Sequence, residues 1–422
     1  MFWGPPGRST DIPDWARDVA APLVARSDDV SNALRAAEAG KSLDEAQLTS
    51  LFSARDGAFR AICDHADAIR RDVNGDVVSY VVTRNINYTN VCTYKCGFCA
   101  FSKGKVAPEL RSAPYIVDLD EVARRSEEAY ARGATEVCLQ GGIHPNYTGQ
   151  TYLDILAAAK RGAPNIHVHA FSPLEVWHGA HSLKVSLREF LTELRARGLG
   201  SLPGTAAEIL DDEVRAQICP DKINTAQWLE VMRSAHDVGL KTTSTIMYGH
   251  VEKTYHWARH LIRLRDLQRD TGGFTEFVPL PFVAEEAPIF RRGLTRTGPT
   301  FREAVLMHAV ARIALHPHFK NIQTSWVKMG RTGAVYCLNA GVNDLGGTLM
   351  NETITRSAGA QHGQEFPPAE LEALIEHAGR TPRLRTTLYA DACYERRTAA
   401  FGAAPLEEVR QTPARRTREQ AQ

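Results

Sequence analysis

The sequence predicts an α/β protein built on a (β/α)8 barrel of TIM type, preceded by a helical extension. Three observations carry that prediction. From Asp76 onward, strand-like and helix-like stretches alternate eight times, and parallel neighbours need such long crossovers. Before Asp76 only helical spacing is found. The first strand also runs directly into a cysteine-rich loop, at the strand end where barrel enzymes build their sites.

Taken in order, Asp28 to Ala39 and Leu43 to Arg70 place Leu, Ala, Phe and Ile at helical spacing, so residues 1–75 form the extension. Strands are expected over Val77–Thr89, Glu136–Gly141, Ile166–Phe171, Leu199–Leu202, Thr242–Tyr248, Phe274–Leu280, Ile322–Val327 and the weaker Asp344–Met350. Helices fall between them at Leu119–Arg132, Tyr152–Lys160, Leu187–Arg197, Ala226–Val238, Thr254–Gln268 and Phe301–Leu315. Residues 76–390 thus form the barrel and its C-terminal region, with closure by the eighth strand left open. Residues 391–422 are charged, with little periodicity, and read as a loosely ordered tail. The rival, a doubly wound open sheet, would carry a Gly-rich phosphate turn after its first strand. Here that turn is cysteine-rich.

Composition narrows the function. Fifty Lys and Arg against 49 Asp and Glu leave a net charge of +1 in 422 residues, which gives no global attraction to nucleic acid or to an anionic membrane. The Met1–Asp11 segment lacks the apolar core of a secretory signal, and no run of about 18 apolar residues occurs. A cytoplasmic protein with a small-molecule substrate is expected. Eight cysteines in such a chain point to metal or catalysis more than to a disulfide scaffold.

Three of the eight form Cys92-Thr-Tyr-Lys-Cys96-Gly-Phe-Cys99. Three thiolates on one short loop can hold three irons of a [4Fe-4S] cubane, whereas typical electron-transfer clusters use four. One iron is then open to another molecule. The alternative is a zinc knuckle in a non-catalytic binding protein; it needs a fourth Cys or His, for which Cys138 is a candidate.

Other polar residues follow the strand ends. Gly141 and Gly142 allow the backbone to approach a ligand. Asn85, Asn87 and Thr89 share one strand face, as do His167, His169 and Phe171. Asn87, His169, Gln323 and Ser325 are lumen candidates for substrate contact. Lys103 and Lys105, just beyond the loop, are candidates to dock an acidic electron donor.

The C-x3-C-x2-C loop resembles the signature of the radical S-adenosylmethionine (SAM) superfamily, with Phe98 at its aromatic position. That resemblance implies that SAM fills the open iron and is cleaved to a 5′-deoxyadenosyl radical. It implies SAM contacts at Gly141 and Gly142, although Ile143 stands where the superfamily usually has Glu. Thr245-Ile-Met247-Tyr-Gly249-His-Val-Glu252 is similar to its G-x-I-x-G-x-x-E stretch, which places Met247 beside the adenine and gives Glu252 a structural role. Ser172, Glu208 and His250 are candidates for the ribose.

A narrower resemblance rests on Asn85-Ile-Asn-Tyr-Thr-Asn-Val-Cys92, Cys96-Gly-Phe-Cys-Ala-Phe101, Gln140-Gly-Gly-Ile-His-Pro145, His169-Ala-Phe-Ser-Pro173, Ser201-Leu-Pro-Gly-Thr-Ala-Ala-Glu208, Phe277-Val-Pro-Leu-Pro-Phe282 and Asn343-Asp-Leu-Gly-Gly-Thr-Leu349. From about Asp28 to Tyr389 the chain resembles the second subunit of deazaflavin (FO) synthase, the 5-amino-6-(D-ribitylamino)uracil–L-tyrosine 4-hydroxyphenyl transferase family. The resemblance implies cleavage of the L-tyrosine Cα–Cβ bond and transfer of the 4-hydroxybenzyl group to the uracil, on the way to coenzyme F-420. It also implies two partners: a separate radical SAM subunit 1, since this chain has one C-x3-C-x2-C set, and an electron donor such as flavodoxin or ferredoxin. Radical SAM enzymes of the futalosine menaquinone pathway share much of this framework and remain the alternative.

Overall fold

The computed structural model describes residues 27–102 and 113–414. Its strands, in chain order, are β1 (Val77–Val81), β2 (Thr83–Asn87), β3 (Tyr115–Ile116), β4 (Glu136–Gln140), β5 (His167–Ala170), β6 (Leu199–Leu202), β7 (Lys241–Tyr248), β8 (Phe274–Pro281), β9 (Asp344–Gly347), β10 (Thr381–Arg385) and β11 (Thr412–Pro413). Six of them, in the order β2-β4-β5-β6-β7-β8, form one curled parallel sheet. From β8 back to β2 the circuit continues only through the single pairs Phe277–Ile322, Gln323–Asp344 and Arg84–Met350. The barrel is therefore incompletely zipped on that side, as the weak eighth strand suggested.

Two sequence expectations change here. The first strand divides at Val82: β2 joins the main sheet, while β1 lies between β9 and β10 in a second parallel sheet. The seventh strand shrinks to a bridge at Ile322 and Gln323, because Trp326–Leu338 is helical and the Trp326 indole donates to the Gly347 carbonyl at 2.8 Å.

Local signals account for most helix starts. Ser172–Glu175, Ser186–Glu189, Asn224–Gln227 and Thr300–Glu303 each form a reciprocal capping box, satisfying amide groups that open each helix. The first of these starts the helix Pro173–Leu183, which periodicity alone does not announce. In the extension, the single helical stretch Leu43–Arg70 divides into Glu45–Phe52 and Asp56–Asn74. Asp56 takes φ 49°, a left-handed value that a continuous helix excludes.

These two helices pack on the barrel helices Thr254–Thr271 and Phe301–Leu315. Phe52 meets Trp257 edge to face at 5.1 Å, and Arg265 donates to the Leu43 carbonyl at 2.9 Å. Among the described residues no helix is long and apolar enough to cross a membrane.

Up to residue 414, the last one described, the C-terminal segment is not the loosely ordered tail expected from the sequence; residues 415–422 lie outside the described residues. Tyr394–Phe401 is a helix, and β11 pairs antiparallel with β3. Its charges are spent on partners distant in sequence: Arg397 on Glu372, Glu407 on Arg124, and Arg396 over the Tyr130 ring at 3.8 Å. Gly133 admits this helix, since a Cβ there would stand 2.4 Å from the Ala400 nitrogen.

Four histidines sit in the interior as neutral groups. Burial pushes His169, His236 and His308 down to about 4 and His260 to about 3. An unfolded imidazole binds its proton near pH 6.5, so below that pH the unfolded chain holds more protons. Stability is therefore full above about pH 6.5 and falls as pH drops towards the folded values. Urea titrations at pH 7 and pH 5 are expected to differ by up to about 2 kcal/mol for each histidine.

Candidate active site

The cysteine loop follows β2 and lies at the C-terminal end of the parallel sheet. Cys92, Cys96 and Cys99 are all free and all line one cavity of about 440 Å³ that runs down the lumen. A tight turn carries the loop: the Cys99 amide donates to the Cys96 carbonyl at 3.2 Å. Neighbouring segments hold it from outside, with Gly97 bonded to the Ile218 carbonyl and the Ile289 amide bonded to the Gly97 carbonyl, each at 2.8 Å. Burial pushes the thiols of Cys96 and Cys99 up, and the Lys222 ammonium opposes that shift.

The spread of the thiols separates the two metal readings. Among the described residues, the only trio of Cys, His, Asp or Glu ligand atoms within 4.8 Å of one another is Asp211, Glu213 and His256. The loop thiols therefore stand too far apart to reach one ion at about 2.3 Å each. Three separated thiols facing a cavity suit a polynuclear cluster. Cys138 does not complete a zinc site; it faces the same cavity from β4, accepts from Gln140 at 3.2 Å, and is pushed up to about 12 by burial.

Gly141 and Gly142 lie against the loop, and space dictates both. A Cβ on Gly141 would stand 2.3 Å from the buried Tyr88 ring, and one on Gly142 would stand 2.3 Å from the Val91 carbonyl and 2.9 Å from Cys92 Cβ. The Gly142 amide donates to Thr89 at 3.0 Å, the Gly141 amide to Glu175 at 3.3 Å, and the next amide, Ile143, to Cys92 Sγ at 3.3 Å. With these N–H groups spent, ligand contact at the two glycines falls to their carbonyls. Gly142→Ala is expected to displace the loop, lowering bound iron and costing about 1–3 kcal/mol by overpacking; iron analysis beside a thermal midpoint reads both effects.

The remaining expected residues divide. Phe98, Ser172, Glu208 and Met247 line the cavity. Glu208 is held by Lys222 at 2.6 Å, and that ammonium lies 5.4 Å above the Phe98 ring, so a charged pair abuts the cysteine loop. Ser172 spends its hydroxyl and amide on Glu175. His169, Gln323 and Ser325 also line the cavity, His169 bonding Ser201 at 2.7 Å.

Asn87 does not line it. Its amide group is used between the Gln140 carbonyl and Thr353, while Asn85, one strand repeat lower, faces the lumen. His250 is likewise withdrawn, paired with Glu252 at 2.8 Å. Glu252 is structural as expected: it accepts from the amides of Gly249 and His250 and from the Trp257 indole, and, against its burial, the adjacent His250 and the Arg296 charge hold its carboxyl well below the usual range. Lys103 and Lys105 lie outside the described residues.

Sequence reasoning missed the floor of the cavity. Arg385, from β10, reaches Asp344 at 2.6 Å and Glu276 at 3.3 Å, and stacks 4.0 Å over Tyr389, whose hydroxyl donates to Glu276. Burial and the neighbouring carboxylates push Glu276 up to about 7. It also missed Lys328, which enters the cavity from the helix after the seventh strand.

A parallel βα barrel with an open three-cysteine loop at the end of its first strand defines a radical SAM protein. Residues 86–264 match the family described as the radical SAM superfamily, and residues 271–397 match the "CofH/MqnC C-terminal region". The chain is 45% identical over 352 residues to the 5-amino-6-(D-ribitylamino)uracil–L-tyrosine 4-hydroxyphenyl transferase of Methanocaldococcus jannaschii, covering 83% of this chain and 97% of that one. It is 48% identical over 394 residues to FO synthase of Streptomyces coelicolor, covering 92% of this chain and 45% of that one. The chain thus spans about half the length of the FO synthases it matches. In fold it is similar to methylornithine synthase, with a TM-score of 0.63 at 16% identity over 83% of this chain and 97% of that one. The chain belongs to the radical SAM superfamily and, within it, to the family of the 5-amino-6-(D-ribitylamino)uracil–L-tyrosine 4-hydroxyphenyl transferases. That membership implies a [4Fe-4S] cluster and SAM.

Proposed function

We propose that this protein is the radical SAM transferase that cleaves L-tyrosine and joins its 4-hydroxybenzyl group to 5-amino-6-(D-ribitylamino)uracil. The observation that carries the reading is the match along 97% of the Methanocaldococcus enzyme at 45% identity, with the cysteine loop opening into a cavity. Cys92, Cys96 and Cys99 would hold the cluster, which with SAM supplies the one-electron chemistry that starts hydrogen abstraction. Gly141, Gly142, Phe98 and Met247 stand where SAM would lie against the loop; Ser172 and Glu208 complete that end.

The chain's own work is to bind, orient and exclude water. Its cavity is lined by apolar side chains such as Leu280, Phe282 and Trp326, broken by a few polar groups, a composition that fixes a substrate's orientation while limiting solvent around a reactive centre. His169 stays neutral at pH 7 and serves as a hydrogen-bond partner, not as a cation. The floor formed by Glu276 and Arg385, backed by Tyr389, brings charged groups to the far end of the cavity. The partners of the reading are a radical SAM subunit 1 and a low-potential electron donor, and the double length of the FO synthases supports a cooperating second half.

Anaerobic incubation with SAM, a reductant, tyrosine and the diaminouracil tests the reading. Deoxyadenosine together with a hydroxybenzyl–uracil adduct is the expected result. Deoxyadenosine without any tyrosine-dependent adduct would overturn the substrate assignment.

A further inference from the structure

Three basic side chains line the cavity among the described residues: Lys222, Arg385 and Lys328. The first two are spent, Lys222 on Glu208 and Arg385 on Asp344 and Glu276. Among the described residues, Lys328 makes neither an ion pair nor a side-chain hydrogen bond. Three carboxylates act on it without pairing to it: Glu352 accepts from the amides of Thr355 and Arg356 at 2.7 and 3.2 Å, Glu208 holds Lys222, and Glu285 is exposed and forms no ion pair with it. A part-buried ammonium without a partner is costly, and burial pushes Lys328 down to about 8. An arriving anion would repay that cost and restore the full charge.

The surroundings specify the kind of anion. Gln323 and Ser325 come from the same short segment and line the same cavity, and the Ser325 hydroxyl does not cap the helix it precedes. An ammonium, a hydroxyl and an amide on one wall are donors that match a carboxylate. The Asn85 side-chain oxygen, buried and unpartnered in the same cavity, is an acceptor suited to an amine. Glu208, within the field of Lys328, is tied through Lys222 to the Phe98 ring of the cysteine loop. Lys328 follows the parallel-paired Ile322 and Gln323 just as the cysteine loop follows β2, so both lie at the C-terminal end of the strands, away from the floor around Glu276.

We propose that Lys328, with Gln323 and Ser325 beside it, holds the α-carboxylate of the amino-acid substrate. The inference rests on the tyrosine reading above and deepens it by placing the Cα end of tyrosine towards the cysteine loop. The methionyl end of SAM carries the same α-amino-acid group, so the test has an arm for each.

The experiment uses the full chain, reconstituted with iron and sulfide without oxygen, as wild type, Lys328→Met and Lys328→Arg. Adduct formation is followed against tyrosine concentration, SAM binding is measured by equilibrium dialysis, and tyramine, which lacks the carboxylate, is the competitor. The expected result is a tyrosine KM raised about 10- to 100-fold in Lys328→Met, the loss expected for one charge-assisted hydrogen bond. SAM affinity should stay within about twofold, and Lys328→Arg should recover most of the loss. Wild type should bind tyrosine well ahead of tyramine, and Lys328→Met should lose that preference.

An unchanged tyrosine KM in Lys328→Met overturns the proposal, as does a loss confined to SAM binding. Should Lys328→Met fail to retain its cluster, the wild type decides alone: tyramine inhibiting as well as tyrosine overturns it. A wild type that cleaves SAM but forms no tyrosine-dependent adduct removes the transferase reading and this inference with it. Adduct formation with the tyrosine KM unmoved removes the inference only.

Discussion

Cys96→Ala is expected to purify without the iron, about four atoms per chain, and the matching sulfide that the wild type binds, and to form no deoxyadenosine from SAM under reductant. Cys92 and Cys99 remain in place but supply only two of the loop's three thiolates; Cys138 lies on β4, and the buried Cys219, next to the Ile218 carbonyl that holds Gly97, belongs to another segment. Stability should change little by comparison, because the loop's own backbone contacts with Ile218 and Ile289 run through Gly97 and not through the thiol. The measurement is iron and sulfide content with a visible spectrum, beside a thermal midpoint. A variant that keeps a full iron complement would sink the assignment of this loop as the cluster site.

Arg385→Met should produce the largest loss of stability. The guanidinium is 2% exposed, and it neutralises Asp344, which is fully buried, together with Glu276. Removing one partner of a buried pair leaves its carboxylates uncompensated, a cost of about 3–5 kcal/mol. The pH dependence has a definite sign. Burial already holds Glu276 above its unfolded value with the arginine in place, and losing that cation raises it further, so the penalty is greatest when Glu276 is ionised and shrinks as pH falls and it protonates. The difference between wild type and variant in urea midpoint is therefore expected to be larger at pH 8 than at pH 5. A difference that stays constant across that range would show that lost packing against Tyr389, 4.0 Å away, outweighs the charge.

The same arginine shows why part of the site stayed hidden in the sequence. It lies 41 residues beyond Asp344 and 109 beyond Glu276, in a segment without strong strand periodicity. Nothing local marks it as part of the lumen. Asn85 and Asn87 illustrate a different loss: period 2 places both on one face, but does not say that Asn87 stands high enough for Thr353 to claim its amide. Lys328 lies one residue past the expected seventh strand, Ile322–Val327, in a stretch to which the sequence assigns no element. Only the helix Trp326–Leu338, which begins two residues before it, brings it to the cavity.

The sequence by itself determined the repeat of strands and helices, the cysteine loop at the end of the first strand, and the glycines packed against it. All of these are local, set by residue periodicity, by thiol spacing and by the lack of a Cβ where one would strike Tyr88 or Val91. Only the tertiary structure decided which polar side chains share the lumen, because each joins elements distant in sequence: the C-terminal helix docked on Tyr130, the floor carried in by β10, and, on the cavity that the cysteine loop also lines, a lysine without a partner among the described residues. Period and spacing fix the face of an element, whereas height along the barrel axis and the identity of a charge's partner are fixed only when the strands pack together.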